Sequence, residues 1–240
     1  MELSFLGRGA GFNPEEGSTA AFFVDNGELF LIDSGESTFH ALLDRKILDS
    51  VTAINLLITH THSDHVGSLG SLILYAFAVK KMPVTIVTDE SMVFLSSIRQ
   101  LLKIYGLTRQ MYRFADSSEF DRRCSRFSKM RYVKTSHCDE LASCGILFET
   151  KQGLVFYSGD MRDPAPLVEI IKSRRKIDKI YIDSNNDRMA KMHHISIHLL
   201  HGIVPPRLAA KIYCMHVNSR QCIAEAEAYG FNVVTVVKEN

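Results

Sequence analysis

The feature that most constrains this chain is a polar hexad directly after an apolar run. The run Ile54–Thr59 is followed by His60, Thr61, His62, Ser63, Asp64 and His65. Neutral imidazole and carboxylate are the ligands that zinc and similar cations prefer in proteins. Side chains two positions apart, such as His60 and His62, can face one ion, and the two residues that follow can face a second position nearby. The hexad therefore predicts a metal site rather than a histidine-rich surface turn.

Composition limits the class of protein. Of the 240 residues, 46% are hydrophobic and 23% are charged, and the net charge is +1, which is typical of a globular protein without a strong overall field. The longest apolar stretch, near Leu69–Val79, is shorter than a membrane span and is followed by two lysines. The first residues lack the basic and apolar regions of a secretory signal, so we expect a cytoplasmic protein without membrane association.

The cysteines argue against a disulfide framework. There are five of them, an odd number, and no two are spaced Cys-x-x-Cys as in a thiolate zinc site. Cys138 stands beside a candidate metal ligand. It is either an oxidisable thiol near the site or, as is more common for cysteine, a small buried hydrophobe.

Apolar runs of strand length recur along the chain and alternate with helical patterns. The predicted strands are Leu3–Leu6, Ala20–Val24, Leu29–Ile32, Ile54–Ile58, Val84–Val87, Gly145–Phe148, Leu154–Tyr157, Ile180–Ile182, Ile212–Met215 and Val233–Val237. The predicted helices are Ser37–Lys46, Ser68–Lys80, Ser91–Ile104, Pro166–Lys172, Ser196–Gly202 and Ser219–Ala228. The first half opens with hairpin-like strands, which favours an α/β sandwich of two mixed β-sheets flanked by helices over a doubly wound sheet. No linker divides the chain, so residues 1–240 are expected to form a single domain.

Three further candidate ligands stand where predicted strands end. His137 follows the run Met130–Thr135, Asp160 follows a strand that breaks at Ser158 and Gly159, and His216 ends another apolar run. Each residue alone could be an ordinary polar group at a strand end. Together with the hexad, they predict one shared site.

With these residues the chain resembles the metallo-β-lactamase superfamily. The signature of that superfamily is H-x-H-x-D-H, followed by a lone histidine, an aspartate and a final histidine, and all of these occur here in order. An upstream aspartate that ends a strand is also typical, and Asp33 after Leu29–Ile32 matches it. The resemblance covers nearly the whole chain and implies an αββα sandwich with a two-metal site at one edge.

The resemblance also implies a division of the ligands. The first metal would be held by His60, His62 and His137, the second by Asp64, His65 and His216, and Asp160 would bridge the two. Asp33 would steady the ligand loop from outside. Zinc is the expected metal, with manganese and iron as alternatives, because a site built of histidine and aspartate lacks the thiolate that would select against them.

Two divalent ions with these ligands leave a net positive site. Such a site produces hydroxide at neutral pH and stabilises an anionic transition state. Phosphodiesters, lactones, thioesters and β-lactams all fit that chemistry. Antibiotic hydrolysis is disfavoured because the zinc β-lactamases carry a cysteine at the station that Asp160 occupies here.

Several stretches resemble the ribonuclease Z and phosphodiesterase branch. They are Leu6–Gly11, Ser143–Gly145 and the stretch Met192–Ser196, which contains His194. In that branch a histidine in this region protonates the departing alkoxide as a general acid. The resemblance implies this role for His194, with His193 as the alternative bearer, while Asp64 would orient the attacking hydroxide. An ordinary surface histidine near a helix start is the competing interpretation of His194.

The short interval between His137 and Asp160 limits the size of substrate that we expect. Only residues 138–159 separate His137 from Asp160, where true ribonuclease Z enzymes usually carry a long tRNA-binding arm. Room for only a hairpin favours a small or nucleotide-type phosphodiester over tRNA. Basic residues are frequent in residues 122–134, where they either follow a nucleic-acid backbone or, as we favour, charge an exposed edge strand.

The sequence thus predicts a binuclear metal-dependent hydrolase, most simply a phosphodiesterase that acts through a metal-bound hydroxide. Two alternatives stay open, a lactone or thioester hydrolase on the same site and a non-catalytic iron redox sensor. Because proteins of the superfamily often dimerise, a homodimer also stays open.

Overall fold

The apolar runs form two β-sheets in the computed structural model, which describes residues 1–89, 94–187 and 193–238. In these residues the first sheet has six strands, which lie in chain order as β1 (Ser4–Gly7), β2 (Ala20–Asp25), β3 (Glu28–Ile32), β4 (Ala53–Leu57), β5 (Val84–Thr88) and β6 (Arg113–Asp116). The second also has six, namely β7 (Lys129–Thr135), β8 (Ser143–Glu149), β9 (Leu154–Tyr157), β10 (Ile177–Asp183), β11 (Ile212–Met215) and β12 (Asn232–Val233). Each half of the chain therefore forms one sheet.

The two halves repeat one topology. In the first sheet β1, β2 and β3 pair antiparallel, and β3 to β6 pair parallel. In the second sheet β7, β8 and β9 pair antiparallel, and β9 to β12 pair parallel. Strands that run in one direction end at the same edge of a sheet, so the residues after β3, β4, β7, β9, β10 and β11 gather at shared edges.

Helices cover the outer faces of the sandwich. They are α1 (Thr38–Asp44), α2 (Ser63–Val66), α3 (Leu69–Tyr75), α4 (Leu95–Ile104), α5 (Ser117–Arg123), α6 (Ala165–Lys172), α7 (Ile197–Ile203) and α8 (Arg220–Ala228). A π-helical segment, Ala76–Lys80, continues α3, and shorter 3-10 turns occupy Pro14–Glu16, Ile47–Asp49 and Pro206–Lys211. None of the helices in the described ranges has the length and apolar character needed to cross a membrane.

An aromatic cluster joins the inner faces of the sheets. Phe23 of β2 stacks on Phe30 of β3 with ring centroids 4.8 Å apart, and it meets Phe148 of β8 edge-on at 6.5 Å. Each fully buried side chain of this kind contributes about 1.5–3 kcal/mol. The cluster therefore fixes the two sheets against each other, and with them the two sets of strand ends.

The predicted α/β sandwich of two mixed sheets flanked by helices is confirmed. Three elements were not predicted, α2, β6 and α5. The start of α5 was readable from the sequence, because the Asp116 carboxylate accepts a hydrogen bond from the Glu119 amide at 2.8 Å. The predicted strand Val233–Val237 is divided, because β12 pairs with β11 whereas Val236 bridges to β1. The predicted helix Ser91–Ile104 is present from Leu95 onwards, and residues 91–93 lie outside the described residues.

Candidate metal centre

The ends of parallel strands deliver the predicted ligands to one place. The chain leaves β4 through a loop that carries His60 and His62, and α2 then presents Asp64 and His65. From the second sheet, His137 follows β7, Asp160 follows β9 and His216 follows β11. The ligand atoms of these residues form two groups, and within each group they all lie within 4.8 Å of one another.

The first group contains three histidines. The Nδ1 atom of His62 lies 3.1 Å from Nε2 of His60 and 3.1 Å from Nε2 of His137. Oδ2 of Asp160 lies 3.7 Å from Nε2 of His60 and 3.5 Å from Nε2 of His137. Ligand atoms around a tetrahedral zinc ion are separated by about 3.3 Å, since the zinc–nitrogen bonds are about 2.0–2.1 Å long. The spacing of this group therefore fits one ion.

The second group shares Asp160 with the first. Nε2 of His216 lies 3.2 Å from Oδ2 of Asp64, and Nε2 of His65 lies 3.5 Å from the same atom. The other oxygen of Asp160, Oδ1, lies 3.2 Å from Nε2 of His65 and 3.5 Å from Nε2 of His216. One carboxylate thus faces both groups, with one oxygen toward each.

Two buried polar atoms support a cation at this place. Nε2 of His65 and Oδ1 of Asp160 lie 3.2 Å apart without the geometry of a hydrogen bond, and neither has another hydrogen-bond partner among the described residues, although both are shielded from solvent. A buried polar atom without a partner is unfavourable by about 1–3 kcal/mol. Both atoms belong to the second group, where a bound cation would satisfy them. The residues present therefore fit a pair of metal ions.

The second ring nitrogen of three buried histidines, His60, His65 and His137, is held by a residue outside the two groups. Nδ1 of His65 donates a hydrogen bond to Oδ2 of Asp33 at 2.8 Å, and Nδ1 of His137 donates one to the backbone oxygen of His193 at 2.7 Å. Nδ1 of His60 lies 3.1 Å from the hydroxyl of Thr59, which donates to Asp33 at 2.8 Å. These contacts fix the tautomers so that Nε2 keeps its lone pair for an ion.

Asp33 therefore supports both groups, the second directly through His65 and the first through Thr59 and His60. Its side chain binds Thr59 through the backbone amide as well as the hydroxyl, and its own φ angle is 65°. A positive φ is uncommon for a residue other than glycine and is retained where surrounding contacts hold it. His216 has the same feature, with φ 54°. Both residues end parallel strands and turn sharply at the site.

Glycines permit the close packing around Asp64. A Cβ atom at Gly35 would lie 1.8 Å from the backbone oxygen of Asp64, and one at Gly11 would lie 2.9 Å from its Oδ2. At Gly159, where φ is +57°, a Cβ would lie 2.7 Å from the backbone oxygen of Cys144. Three separate segments therefore approach the site more closely than a residue with a side chain allows.

The buried carboxylates and imidazoles shift each other's pKa. Burial lowers the pKa of His65, but the carboxylates of Asp160 and Asp33 outweigh burial and hold that pKa well above its ordinary value. The pKa of His216 is likewise raised to about 10, against burial, by Asp160, Asp183 and Asp64. Burial raises the pKa of Asp160, yet the neighbouring histidines bring it well below its ordinary value. This edge thus requires positive charge, supplied either by protons or by bound cations.

His194 lies beside the two groups and is paired with a residue that sequence reasoning missed. Its Nδ1 atom donates a hydrogen bond to Oδ2 of Asp183 at 2.8 Å. Asp183 ends β10, is buried, and also lies with Oδ1 3.3 Å from Nδ1 of His216. The signal was present in the sequence, because Asp183 and Ser184 follow an apolar strand as Asp33 and Ser34 do.

Two other residues near the site have structural contacts. The His193 backbone holds His137, as described above, and its side chain lines the same cavity as His194. Cys138 is only partly buried and its Sγ lies 4.0 Å from Nε2 of His62, so it stands behind the first group as an outer contact. Met192, which belongs to the predicted His194 stretch, lies outside the described residues.

The basic residues at 122–134 do not line the cavity. Arg122 and Arg123 are on α5, whereas Lys129, Arg131 and Lys134 are on β7, at one edge of the second sheet. β7 is the outermost strand of that sheet, and Lys129 and Arg131 are on its exposed face. Arg123 forms an ion pair with Glu28 at 2.7 Å. This arrangement matches the interpretation of a charged edge strand, which blunts unwanted strand pairing.

An open cavity of about 760 Å³ leads to the two groups. A cavity of this size is in the range that holds a small ligand. It is lined by Ala10, Gly11, Phe12, Glu36, His62, Ser63, Asp64, His137, Asp160, Asn185, Asp187, His193, His194, His216 and Asn218. A substrate in it would meet Asp64, Asp160 and His194 together.

Comparison of the fold with solved structures identifies the same architecture. The metallo-β-lactamase fold protein YhfI from Bacillus subtilis superimposes with a TM-score of 0.71 at 15% identity, over 99% of this chain and 96% of YhfI. The short form of human tRNase Z superimposes with a TM-score of 0.66 at 18% identity, over 100% of this chain and 98% of that protein. A diphosphatase of the PhnP family superimposes with a TM-score of 0.67 at 15% identity, over 98% of this chain and 95% of that protein. The fold is therefore the metallo-β-lactamase fold, as the sequence predicts.

Sequence relatives point to the same branch. The chain is 41% identical over 78 residues to ribonuclease Z of Shouchella clausii, which is 30% of this chain but 24% of that protein. It is 42% identical over 79 residues to anti-Pycsar protein Apyc1 of Bacillus phage 010DV004, or 31% and 29% of the two chains. The match to Apyc1 of Saccharibacillus brassicae is longer, 27% identical over 186 residues, which is 72% of this chain and 73% of that protein.

The family profile described as anti-Pycsar protein Apyc1 matches residues 1–236. This match covers nearly the whole chain, including both groups of ligand-type residues and His194. The chain therefore belongs to the Apyc1 family and has the metallo-β-lactamase fold.

Proposed function

We propose that the chain is a binuclear metal-dependent phosphodiesterase that acts on a small, nucleotide-type phosphodiester. The observation that carries this proposal is the position of Asp160. Its Oδ2 lies 3.5 Å from His137 and 3.7 Å from His60, and its Oδ1 lies 3.2 Å from His65 and 3.5 Å from His216. A carboxylate shared in this way suits a pair of cations held close together.

In this proposal His60, His62 and His137 would hold the first ion, and Asp64, His65 and His216 would hold the second. Asp160 would contribute one ligand atom to each ion. When bound, two such ions supply a hydroxide at neutral pH and stabilise the negative charge of the transition state. Zinc is the expected metal, with manganese and iron as alternatives, because the donors are imidazole and carboxylate without thiolate.

Asp64 and His194 have separate roles in the proposed reaction, one at the attacking oxygen and the other at the leaving group. Asp64 lines the cavity, and its Oδ2 lies 3.2 Å from Nε2 of His216, which supports a role for its carboxylate in orienting the attacking oxygen. His194 also lines the cavity, and its Nδ1 is engaged by Asp183. Its Nε2–H is therefore the atom that donates a proton to the departing alkoxide.

The interval between His137 and Asp160 favours a small phosphodiester over tRNA. Half of residues 138–159 belong to β8 and β9, which form an antiparallel pair within the second sheet. This interval therefore leads directly back into the sheet rather than into a projecting arm. The names of two relatives, ribonuclease Z and a PhnP-family diphosphatase, also support phosphoester chemistry.

A homodimer is a separate part of the proposal. Exposed apolar side chains cluster on α3, the π-helical segment and α4, namely Leu74, Phe77, Val79, Ile104 and Tyr105. The helices are adjacent, since a Cβ at Gly70 would touch the Tyr105 ring. Sedimentation equilibrium of the purified chain tests this part: a mass of twice 27.1 kDa supports it and a mass of 27.1 kDa contradicts it.

A substrate panel tests the proposed reaction. Metal-reconstituted protein is assayed with bis-p-nitrophenyl phosphate, several cyclic nucleotides, a lactone and a glutathione thioester. The proposal expects turnover of the phosphodiesters, abolished in Asp64→Ala while the variant still unfolds cooperatively. Turnover of the lactone or thioester alone would assign the site to the other hydrolase class. Bound iron with an oxygen-sensitive spectrum and no turnover would instead indicate a redox sensor.

A further inference from the structure

The most exposed large apolar side chain among the described residues is Phe12, with a relative exposure of 105%. It lies in the segment between β1 and the 3-10 turn Pro14–Glu16. A single exposed apolar residue is ordinary on a protein surface. Two further features, its anchoring and its position, distinguish this one.

The segment that carries Phe12 is fastened on both sides of the ring. The backbone amide of Ala10 donates to the oxygen of Val217 at 3.1 Å, and the Asn13 side chain donates to the same oxygen at 2.9 Å. The Asn13 amide also donates to the oxygen of Ala10 at 2.8 Å, which closes a tight turn. Val217 follows the ligand-type residue His216 directly. The turn is therefore tied to the strand end that builds the site.

This anchoring places Phe12 at the mouth of the cavity. Its neighbour Gly11 packs so closely that a Cβ there would lie 2.9 Å from Oδ2 of Asp64. Phe12 itself lines the cavity that contains Asp64 and His194. Among the lining residues it supplies the one carbocyclic aromatic ring.

We propose that Phe12 forms a stacking subsite for the base of the substrate, so that the base lies on this ring while the phosphodiester faces the ligand-type residues of the site. The inference rests on the proposed function and adds to it the residue that holds the base. Every base has a π-face, and stacking on an aromatic side chain contributes to binding without strong sequence preference. Because hydrogen bonds of Ala10 and Asn13 hold the turn and the ring is exposed, a base can reach the ring without rearrangement of the backbone.

Other lining residues agree with this substrate. Asn185 and Asn218 provide amide groups, which hydrogen-bond base edges or ribose hydroxyls. Glu36 brings negative charge to the same cavity. Negative charge there disfavours additional phosphates, so a substrate with a single phosphodiester fits better than a polyphosphate chain.

A pair of substrates isolates the base. One is a nucleoside 3′,5′-cyclic phosphate, and the other is methyl ribofuranoside 3′,5′-cyclic phosphate, which has the same sugar and phosphodiester but no base. Four variants are compared with the wild type: Phe12→Ala and Phe12→Leu, which remove the aromatic face, Phe12→Tyr, which keeps it, and Leu199→Ala, which truncates an exposed apolar side chain outside the cavity (44% exposed).

The inference predicts a base-dependent loss in KM. Removing a stacked aromatic lowers kcat/KM for the nucleotide by about 5- to 100-fold, mainly through KM, because stacking holds ground state and transition state alike. Phe12→Leu behaves like Phe12→Ala, Phe12→Tyr stays near the wild type, and Leu199→Ala has no effect. With the base-free substrate the Phe12 variants keep the wild-type rate.

Three outcomes overturn the inference, and they are distinguishable from failure of the proposed function. The inference fails if Phe12→Ala and Phe12→Leu lose both substrates equally, or if they lose neither while the wild type cleaves both. It also fails if they change the sedimentation mass without a base-dependent loss, since Phe12 would then serve contact between chains. If the wild type cleaves no phosphodiester at all, the proposed function fails and this inference with it.

Discussion

The Nδ1 atom of His194 lies 2.8 Å from Oδ2 of Asp183, a carboxylate that is buried at the end of β10. The same carboxylate accepts the backbone amide of Met161 at 3.0 Å, so it cannot rotate freely. The pair fixes the orientation of the His194 ring at the wall of the cavity. Asp183 also contacts the second group of ligand-type residues, because its Oδ1 is 3.3 Å from Nδ1 of His216.

The first prediction concerns His194 as a proton donor. His194→Ala should lower kcat by about 10²- to 10⁴-fold for a cyclic nucleotide, whose alkoxide leaving group needs a proton. With bis-p-nitrophenyl phosphate the loss should be much smaller, because p-nitrophenolate departs without protonation. Steady-state kinetics with both substrates check this, with metal content measured in parallel. Equal losses for the two substrates would assign His194 to another role.

The second prediction concerns pH. Burial lowers the pKa of His194, but the charge and hydrogen bond of Asp183 outweigh it and raise the pKa above its ordinary value. A general acid works while protonated, so activity on the cyclic nucleotide should fall as the pH rises through this raised pKa. Asp183→Asn removes the charge that raises it, and the basic limb should move to lower pH.

The pH profile of kcat/KM measures this shift directly. The control is the profile of the wild type with bis-p-nitrophenyl phosphate, in which the His194 limb should be absent. A basic limb that stays in place in Asp183→Asn, in protein with unchanged metal content, would contradict the assignment.

The third prediction concerns the turn at Gly11. In Gly11→Ala the new Cβ would lie 2.9 Å from Oδ2 of Asp64, so either the turn or the carboxylate must move. A displacement of this kind lowers kcat by about tenfold or more, because reacting groups tolerate little misplacement. The fold should be retained, since the contact is at the surface of the cavity.

Gly202 provides the matched control for this glycine. It lies within α7, where a Cβ would meet no atom within 4 Å. Gly202→Ala should leave kcat unchanged and raise the free energy of unfolding by up to about 1 kcal/mol, as is usual in a helix. Unchanged kcat in Gly11→Ala would indicate that Asp64 does not need this close contact.

The fourth prediction concerns stability. At Gly35 a Cβ would lie 1.8 Å from the backbone oxygen of Asp64, and the backbone of α2 cannot yield as a side-chain tip can. Gly35→Ala should therefore lower the free energy of unfolding by about 3 kcal/mol or more. Urea denaturation of metal-free protein measures it, so that loss of metal binding is kept separate. Wild-type stability in this variant would contradict the packing.

The sequence predicts the sandwich fold and the grouping of the ligand-type residues well, because these residues stand at strand ends. The hexad after β4, together with His137, Asp160 and His216, stands where parallel strands end, and such ends meet at one edge of a sheet. The strand pattern therefore predicted both the sandwich and the grouping of these side chains. Asp183 carries the same signal after Ile180–Ile182, and the pattern would have identified it.

Contacts between distant segments were not predictable in this way. The position of Phe12 depends on hydrogen bonds from Ala10 and Asn13 to Val217, which lies more than 200 positions away in the chain. The approach of Gly11 to Asp64 depends on the same turn. Local periodicity carries no information on such loop paths, because their geometry is set by the packing of the two sheets.

The central claim, a phosphodiesterase that requires two cations bridged by Asp160, is tested most directly by a zinc titration. Chelator-treated protein receives increasing zinc while hydrolysis of bis-p-nitrophenyl phosphate is followed at a protein concentration well above the dissociation constants. The account predicts that activity rises to its maximum at two equivalents of zinc per chain. A maximum at one equivalent, or no hydrolysis at any zinc level, would contradict it.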